Sequence, residues 1–85
     1  MKVLRFTAEW CQPCKTLSVV LEDLSKEGIF VEKNLEVYDI EADEEITQKY
    51  RIRSVPTLIL VEDDGKEIDR MVGLKSIEEI REFLE

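Results

Sequence analysis

Apolar residues recur along this chain with two periods, and the changes of period mark out seven elements. From Val3 to Thr7 the alternation puts Leu4 and Phe6 on one face and Val3, Arg5 and Thr7 on the other, the pattern of a buried strand. From Cys14 onward Leu17, Val20, Leu21 and Leu24 recur at helical spacing. Pro13 suits the first turn of that helix, where its missing N–H is no loss, and Gly28 supplies a stop. Ile29-Phe30-Val31 fits either a helix exit packed on the core or an early start to the next strand. Leu35 to Glu41 predicts a second strand, with Val37, Tyr38 and Ile40 as core candidates. Asp43 is placed to cap a short helix, Glu44 and Glu45 favour its positive end, and Ile46 and Tyr50 share a face. Ser54-Val55-Pro56 breaks that helix, and Thr57 to Val61 is a strongly apolar third strand. Asp63-Asp64-Gly65-Lys66 is a hairpin turn, followed by a fourth strand from Glu67 to Val72 that Gly73 ends. Ser76 with Glu79 makes a capping box, and Ile77, Ile80, Phe83 and Leu84 form the buried stripe of a last helix.

The order β-α-β-α-β-β-α predicts an α/β fold. Two strands joined through a helix should be parallel with a right-handed crossover, and the last two should form a hairpin, giving a mixed sheet. No repeat, linker or low-complexity stretch interrupts the pattern, so residues 1–85 are expected to form a single domain.

Composition narrows the function. The chain is 44% hydrophobic, enough for a packed core. Twelve basic against twenty acidic residues leave a net charge of −8, which argues against nucleic acid and anionic membrane surfaces as partners. The acidity serves solubility or steers the chain toward a basic partner. The longest apolar runs are too short for a membrane span, and no apolar leader segment is visible, so a cytoplasmic location is expected.

The chemistry is concentrated in Trp10-Cys11-Gln12-Pro13-Cys14, which holds the only two cysteines. Thiols at this spacing can close into a disulfide and reopen with little backbone movement. A C-x-x-C where a strand gives way to a helix reads as a redox motif. A stapling disulfide is the competing reading, but so short a loop removes little chain entropy. Structural zinc needs four ligands, which two cysteines and no histidine cannot supply within one chain. Neither a metal nor another cofactor is expected, because the two sulfurs are themselves the redox centre.

Ala8-Glu9-Trp10-Cys11-Gln12-Pro13-Cys14-Lys15, Tyr50-Arg51-Ile52-Arg53-Ser54-Val55-Pro56-Thr57, Asp64-Gly65-Lys66 and Val72-Gly73 occur in the order and at nearly the spacing of the thioredoxin family, which the chain resembles from Leu4 almost to its end. The resemblance implies a minimal thioredoxin fold with a four-stranded mixed sheet flanked by three helices, because the match starts at the family's central strand. It implies dithiol–disulfide oxidoreductase activity, with Cys11 the exposed attacking thiol and Cys14 the buried resolving thiol. Val55-Pro56 would be a cis peptide facing the disulfide, leaving backbone free to pair with an extended substrate strand. Trp10, Gln12, Pro13, Val55, Pro56, Val72 and Gly73 would line the substrate groove. Disulfide-containing proteins would be the substrates, a thioredoxin reductase or related flavoprotein would recharge the dithiol, and the working form would be a monomer.

The chain departs from that family in carrying Gln12-Pro13 where Gly-Pro is usual, and in placing Arg5 where the family has a buried acid, whose partner lysine falls near Val37. Arg5 either snorkels past an open sheet edge or favours a thiolate near the active site. Lys15 is a solvated helix residue or a source of positive potential beside Cys11, and Tyr38 or a nearby carboxylate is a candidate replacement for the missing proton acceptor. Two alternatives to an electron donor are a glutathione-dependent, glutaredoxin-like reductase and a thioredoxin-like binding subunit without turnover. An oxidant or isomerase of the same fold would belong to an oxidising compartment.

Overall fold

The computed structural model describes residues 1–28 and 34–85. Its elements follow the expected order: β1 (Lys2–Thr7), α1 (Gln12–Lys26), β2 (Asn34–Asp39), α2 (Glu44–Lys49), β3 (Thr57–Val61), β4 (Glu67–Val72) and α3 (Ile77–Leu84). The four strands form one sheet in the order β2-β1-β3-β4. β1 runs parallel to β2 and antiparallel to β3, and β3 pairs antiparallel with β4. The expectation for residues 29–31 lies outside the described residues.

Strand alternation divides the core into two layers. Val3 of β1 and Leu58 of β3 face Leu17, Leu21 and Leu24 of α1 and Ile80 and Leu84 of α3. Leu4, Phe6, Ile59 and Val61 point through the other face, where Tyr50 closes over them and Tyr38, Ile40, Ile46 and Ile52 pack alongside. β1 is therefore covered on both faces and hydrogen-bonded along both edges, which is why its run is apolar apart from Arg5 and its ends.

Local chemistry sets the element ends. Gly28 takes a left-handed φ of +83°, and its N–H donates to the Ser25 carbonyl at 3.0 Å. The β3–β4 turn closes with the Gly65 N–H on the Glu62 carbonyl at 2.8 Å, and the Tyr50 hydroxyl donates to the Gly65 carbonyl at 2.6 Å. In α3, Ser76 Oγ accepts from the Glu79 N–H and donates to the Glu79 carboxylate, both at 3.1 Å.

Four expectations need correction. β2 ends at Asp39 instead of Glu41, because the chain turns there: Asp39 Oδ1 accepts from the N–H groups of Glu41 and Ala42. Val37 is 52% exposed instead of core, since β2 is an edge strand. Asp43 occupies the position before α2 but makes no side-chain cap; its carboxylate accepts from the Asp39 N–H instead. Ile77, at the first turn of α3, is exposed, and the buried stripe begins at Ile80.

This packing yields a stability test. Leu24 of α1 is fully buried in the layer it shares with the sheet and α3, so Leu24→Ala is expected to cost about 2–5 kcal/mol in urea unfolding. Val37→Thr keeps the β-branch at the exposed edge and is expected to stay within about 0.5 kcal/mol of the parent. Equal costs at the two positions would contradict the assignment of β2 as the edge.

Candidate active site

β1 delivers the chain to Thr7, and four residues later Cys11 forms the N-cap of α1. Its backbone is extended, with φ −92° and ψ 105°, and its N–H donates to the Ala8 carbonyl at 3.2 Å. The sulfur occupies the place of an ordinary capping oxygen: Cys11 Sγ accepts from the Cys14 N–H at 3.2 Å. Pro13 lies in the first turn, and no acidic residue does, so the positive end of the helix is left to the sulfur. Cys11 and Cys14 are joined as a disulfide, with their Cα atoms 5.3 Å apart.

The sulfurs sit in a small apolar cluster with Ala8, against which Ile40 and Val55 pack. Cys14 is buried, as the resemblance implies, but Cys11 is only 4% exposed, which corrects the expectation of an exposed attacking thiol. The cause is the loop before β3: Cys11 Sγ lies 3.7 Å from the Val55 carbonyl oxygen. The strip beside Val55 therefore borders Cys11.

Several of the expected groove residues converge on that strip. The Val55–Pro56 peptide bond is cis, and Pro56 is buried beneath it. The Pro56 carbonyl accepts from the Gly73 N–H at 2.8 Å, and Thr57 pairs with Val72, so the end of β4 is tied to the proline loop. Gly73 has a φ of +84°, while an added Cβ would meet open space, so the backbone conformation is what requires glycine there. Val72 is exposed, as are Gln12 and Pro13 at the start of α1. Trp10 is 67% exposed, more open than a core aromatic, and its indole N–H donates to the Glu41 carboxylate at 2.8 Å.

Glu41 is the functional neighbour that sequence reasoning missed. It falls in the turn after β2, where Asp39 gathers the Glu41 and Ala42 N–H groups and so fixes the position of the carboxylate that holds Trp10. The local sequence carries only the acidic turn as a signal; the pairing itself spans thirty-one positions. Arg5 and Lys15 border a shared cleft of about 220 Å³ with Cys14. Among the described residues no group of three or more histidine, cysteine or acidic side chains is gathered to hold a metal.

The arrangement can form and break one sulfur–sulfur bond. In the reduced form the Cys14 N–H and the end of α1 favour a thiolate on Cys11, the species that attacks disulfides. Cys14, three residues on in the same helix turn, is within bonding reach of Cys11 Sγ, so it can release whatever sulfur Cys11 has captured.

The thioredoxin family model matches residues 1–85. The chain is 47% identical over 70 residues to a thioredoxin of Chlamydia muridarum, covering 82% of this chain and 66% of that protein. It is 45% identical over 73 residues to a thioredoxin of Chlamydia trachomatis, covering 86% of this chain and 69% of that protein. It thus spans about two thirds of the length of these curated relatives. The crystal structure of Fasciola hepatica thioredoxin superposes with a TM-score of 0.84 at 34% identity, over 98% of this chain and 76% of that one.

Tyr38 is not brought to the sulfurs. It lies on the Phe6 face of the sheet, stacked on Phe6 at 5.7 Å between ring centroids, and its hydroxyl donates to the Glu36 carboxylate at 2.8 Å. That hydrogen bond, then burial and the Glu36 charge, push the phenol up to about 12 from its ordinary value of 10.0. A phenol raised in the folded state stabilises the fold below its unfolded value near 10, and that contribution is lost as pH rises through about 12. Glu36→Gln is expected to return the Tyr38 titration toward 10.0, read by phenolate absorbance. A variant titration still near 12 would contradict the Glu36 assignment.

Proposed function

The chain belongs to the thioredoxin family, and from that premise we propose that it is the dithiol electron donor of protein-disulfide reduction. It is a thiol–disulfide oxidoreductase whose redox centre is the Cys11–Cys14 pair. The observation that carries the reading is the capping of α1 by a cysteine sulfur, with the Cys14 N–H aimed at it and Val55 alongside. A structural staple has no need of a sulfur at the helix's positive end; a nucleophile does.

The reaction runs in two exchanges. The Cys11 thiolate attacks one sulfur of a substrate disulfide, forming a mixed disulfide, and the displaced substrate thiolate takes a proton from water. The Cys14 thiolate then attacks Cys11 Sγ, the second substrate sulfur leaves as thiolate and is protonated, and the Cys11–Cys14 disulfide remains. Two electrons pass to the substrate, and a thioredoxin reductase or related flavoprotein returns them. The substrate strand lies along Trp10, Val55, Pro56, Val72 and Gly73, with Gln12 and Pro13 at its border. The cis Val55–Pro56 peptide beside Cys11 and the exposed Trp10 and Val72 support this groove.

The reading takes residues 1–85 as one working domain, acting as a monomer in the reducing cytoplasm, where a dithiol donor is kept charged. Among the described residues no helix is long and apolar enough to cross a membrane. Partners are disulfide-bearing proteins; the charge of −8 disfavours nucleic acid and anionic lipid.

A single-turnover assay with reduced protein and a model protein disulfide tests the reading. The parent is expected to reduce one disulfide per molecule, and Cys11→Ser to reduce none. Cys14→Ser is expected to accumulate a covalent mixed disulfide through Cys11. Turnover retained in Cys11→Ser, or no adduct with Cys14→Ser, would refute the assigned order of attack.

A further inference from the structure

Arg5 lies on the α1 side of the sheet, paired in register with Val37 of β2 and Leu58 of β3. A cation in the central strand is unfavourable unless its donors are met. Nη2 donates to the Cys14 carbonyl at 3.0 Å, but Nε is buried and has no hydrogen-bond partner. Packing alone leaves that cost without an offset, because an apolar side chain at the same place would fill the space between sheet and helix. Burial lowers the guanidinium from its ordinary value, yet an arginine stays charged at neutral pH.

The second half of the proposed reaction needs such a charge. Cys14 is 1% exposed, and burial favours its thiol over the thiolate that must attack Cys11. The charged groups around this region are Arg5 from β1, Glu9 from the following loop, Lys15, Glu22 and Lys26 from α1, and Asp39 from β2. Asp39 Oδ1 is already occupied by two backbone N–H groups. Glu9 and Lys15 are exposed, and Glu22 and Lys26 pair with each other at 3.9 Å, more than two helical turns beyond Cys14. Arg5 is the charge bonded to Cys14 itself. The cleft of about 220 Å³ that Arg5 and Cys14 share offers water a place beside the buried residue.

We infer that Arg5 is a positioning residue for the resolving step, holding the first turn of α1 by the Cys14 carbonyl and favouring the Cys14 thiolate by its charge. The inference rests on the proposed electron-donor function. The Cys14 thiol gives its proton to water in the cleft. The thiolate forms the bond to Cys11 Sγ as the bond from Cys11 to the substrate sulfur breaks, and the departing substrate thiolate is protonated from solvent.

The Cys11→Ser background leaves a single thiol, so thiolate ultraviolet absorbance against pH reports Cys14 alone. There Arg5→Met is expected to raise the Cys14 midpoint by about one pH unit, a tenfold loss of thiolate at a given pH. Arg5→Lys, which keeps the charge, is expected to recover at least half of that shift. Arg5→Gln is the second neutral variant, so whichever of the two folds gives the answer. With Cys11 present, Arg5→Met is also expected to slow resolution of a preformed mixed disulfide about tenfold at neutral pH while leaving alkylation of Cys11 within about twofold. A folded neutral variant that titrates with the parent would overturn the inference. So would an Arg5→Lys variant shifted as far as Arg5→Met, since that outcome assigns Arg5 to packing. The titration uses neither substrate nor reductase, so a negative result leaves the electron-donor reading standing. Failure of that reading would show instead as a parent protein that reduces no disulfide.

Discussion

The chemistry of this protein depends on a sulfur acting as a helix cap. Every helix begins with N–H groups that lack intrahelical partners, and a side chain at the cap position has to answer them. In α1 the answering atom is Cys11 Sγ, which accepts from Cys14, the residue that also carries the second sulfur. That hydrogen bond therefore sets the electrostatics of the first sulfur, while the disulfide holds the second against it. β1 makes that geometry dependable: it is paired on both edges and covered on both faces, so the point where the chain enters α1 is fixed from every side. The proline loop is fixed in turn through β3, β1's antiparallel neighbour, and brings the Val55 carbonyl beside Cys11.

Trp10 and Glu41 show how the rest of the fold is drawn into the site. β2 runs parallel to β1, so both strands end at the same rim of the sheet, Thr7 opposite Asp39. The turn after β2 then places a carboxylate where the indole N–H of Trp10 can reach it. An exposed aromatic beside a nucleophile is held by a residue from another element, and its orientation is a tertiary property. The exposed Val72 reaches the same rim through its pairing with Thr57.

What was legible in the sequence was what is local. The alternation of Leu4 and Phe6 against Val3 and Arg5, the helical stripe of Leu17, Leu21 and Leu24, and the glycine at the β3–β4 turn each reflect a constraint spanning a few residues, and β1, α1 and the β3–β4 hairpin appear where the pattern placed them. Val37 was misjudged because an apolar residue in an edge strand and one in a central strand look alike until strand order is known. Asp43 has the composition of a cap, but a competing backbone donor at Asp39 takes its carboxylate. At the site, the Cys-x-x-Cys pair, Pro56 and Gly73 were legible from their motifs. The burial of Cys11, the hold of Glu41 on Trp10 and the bond from Arg5 to the Cys14 carbonyl were not, since each joins residues from different elements. Tyr38 was a reasonable candidate by position along β2, but strand alternation turns it to the Phe6 face, toward Glu36.

The midpoint potential of the Cys11–Cys14 couple tests the account most directly. It can be followed by Trp10 fluorescence in a defined thiol–disulfide buffer, because the indole stands next to Cys11 in the chain. The account predicts a reductant, with a potential close to the value of about −270 mV that characterises thioredoxin itself. A potential between about −180 and −120 mV would place the protein with the isomerases and oxidants and would contradict its role as an electron donor.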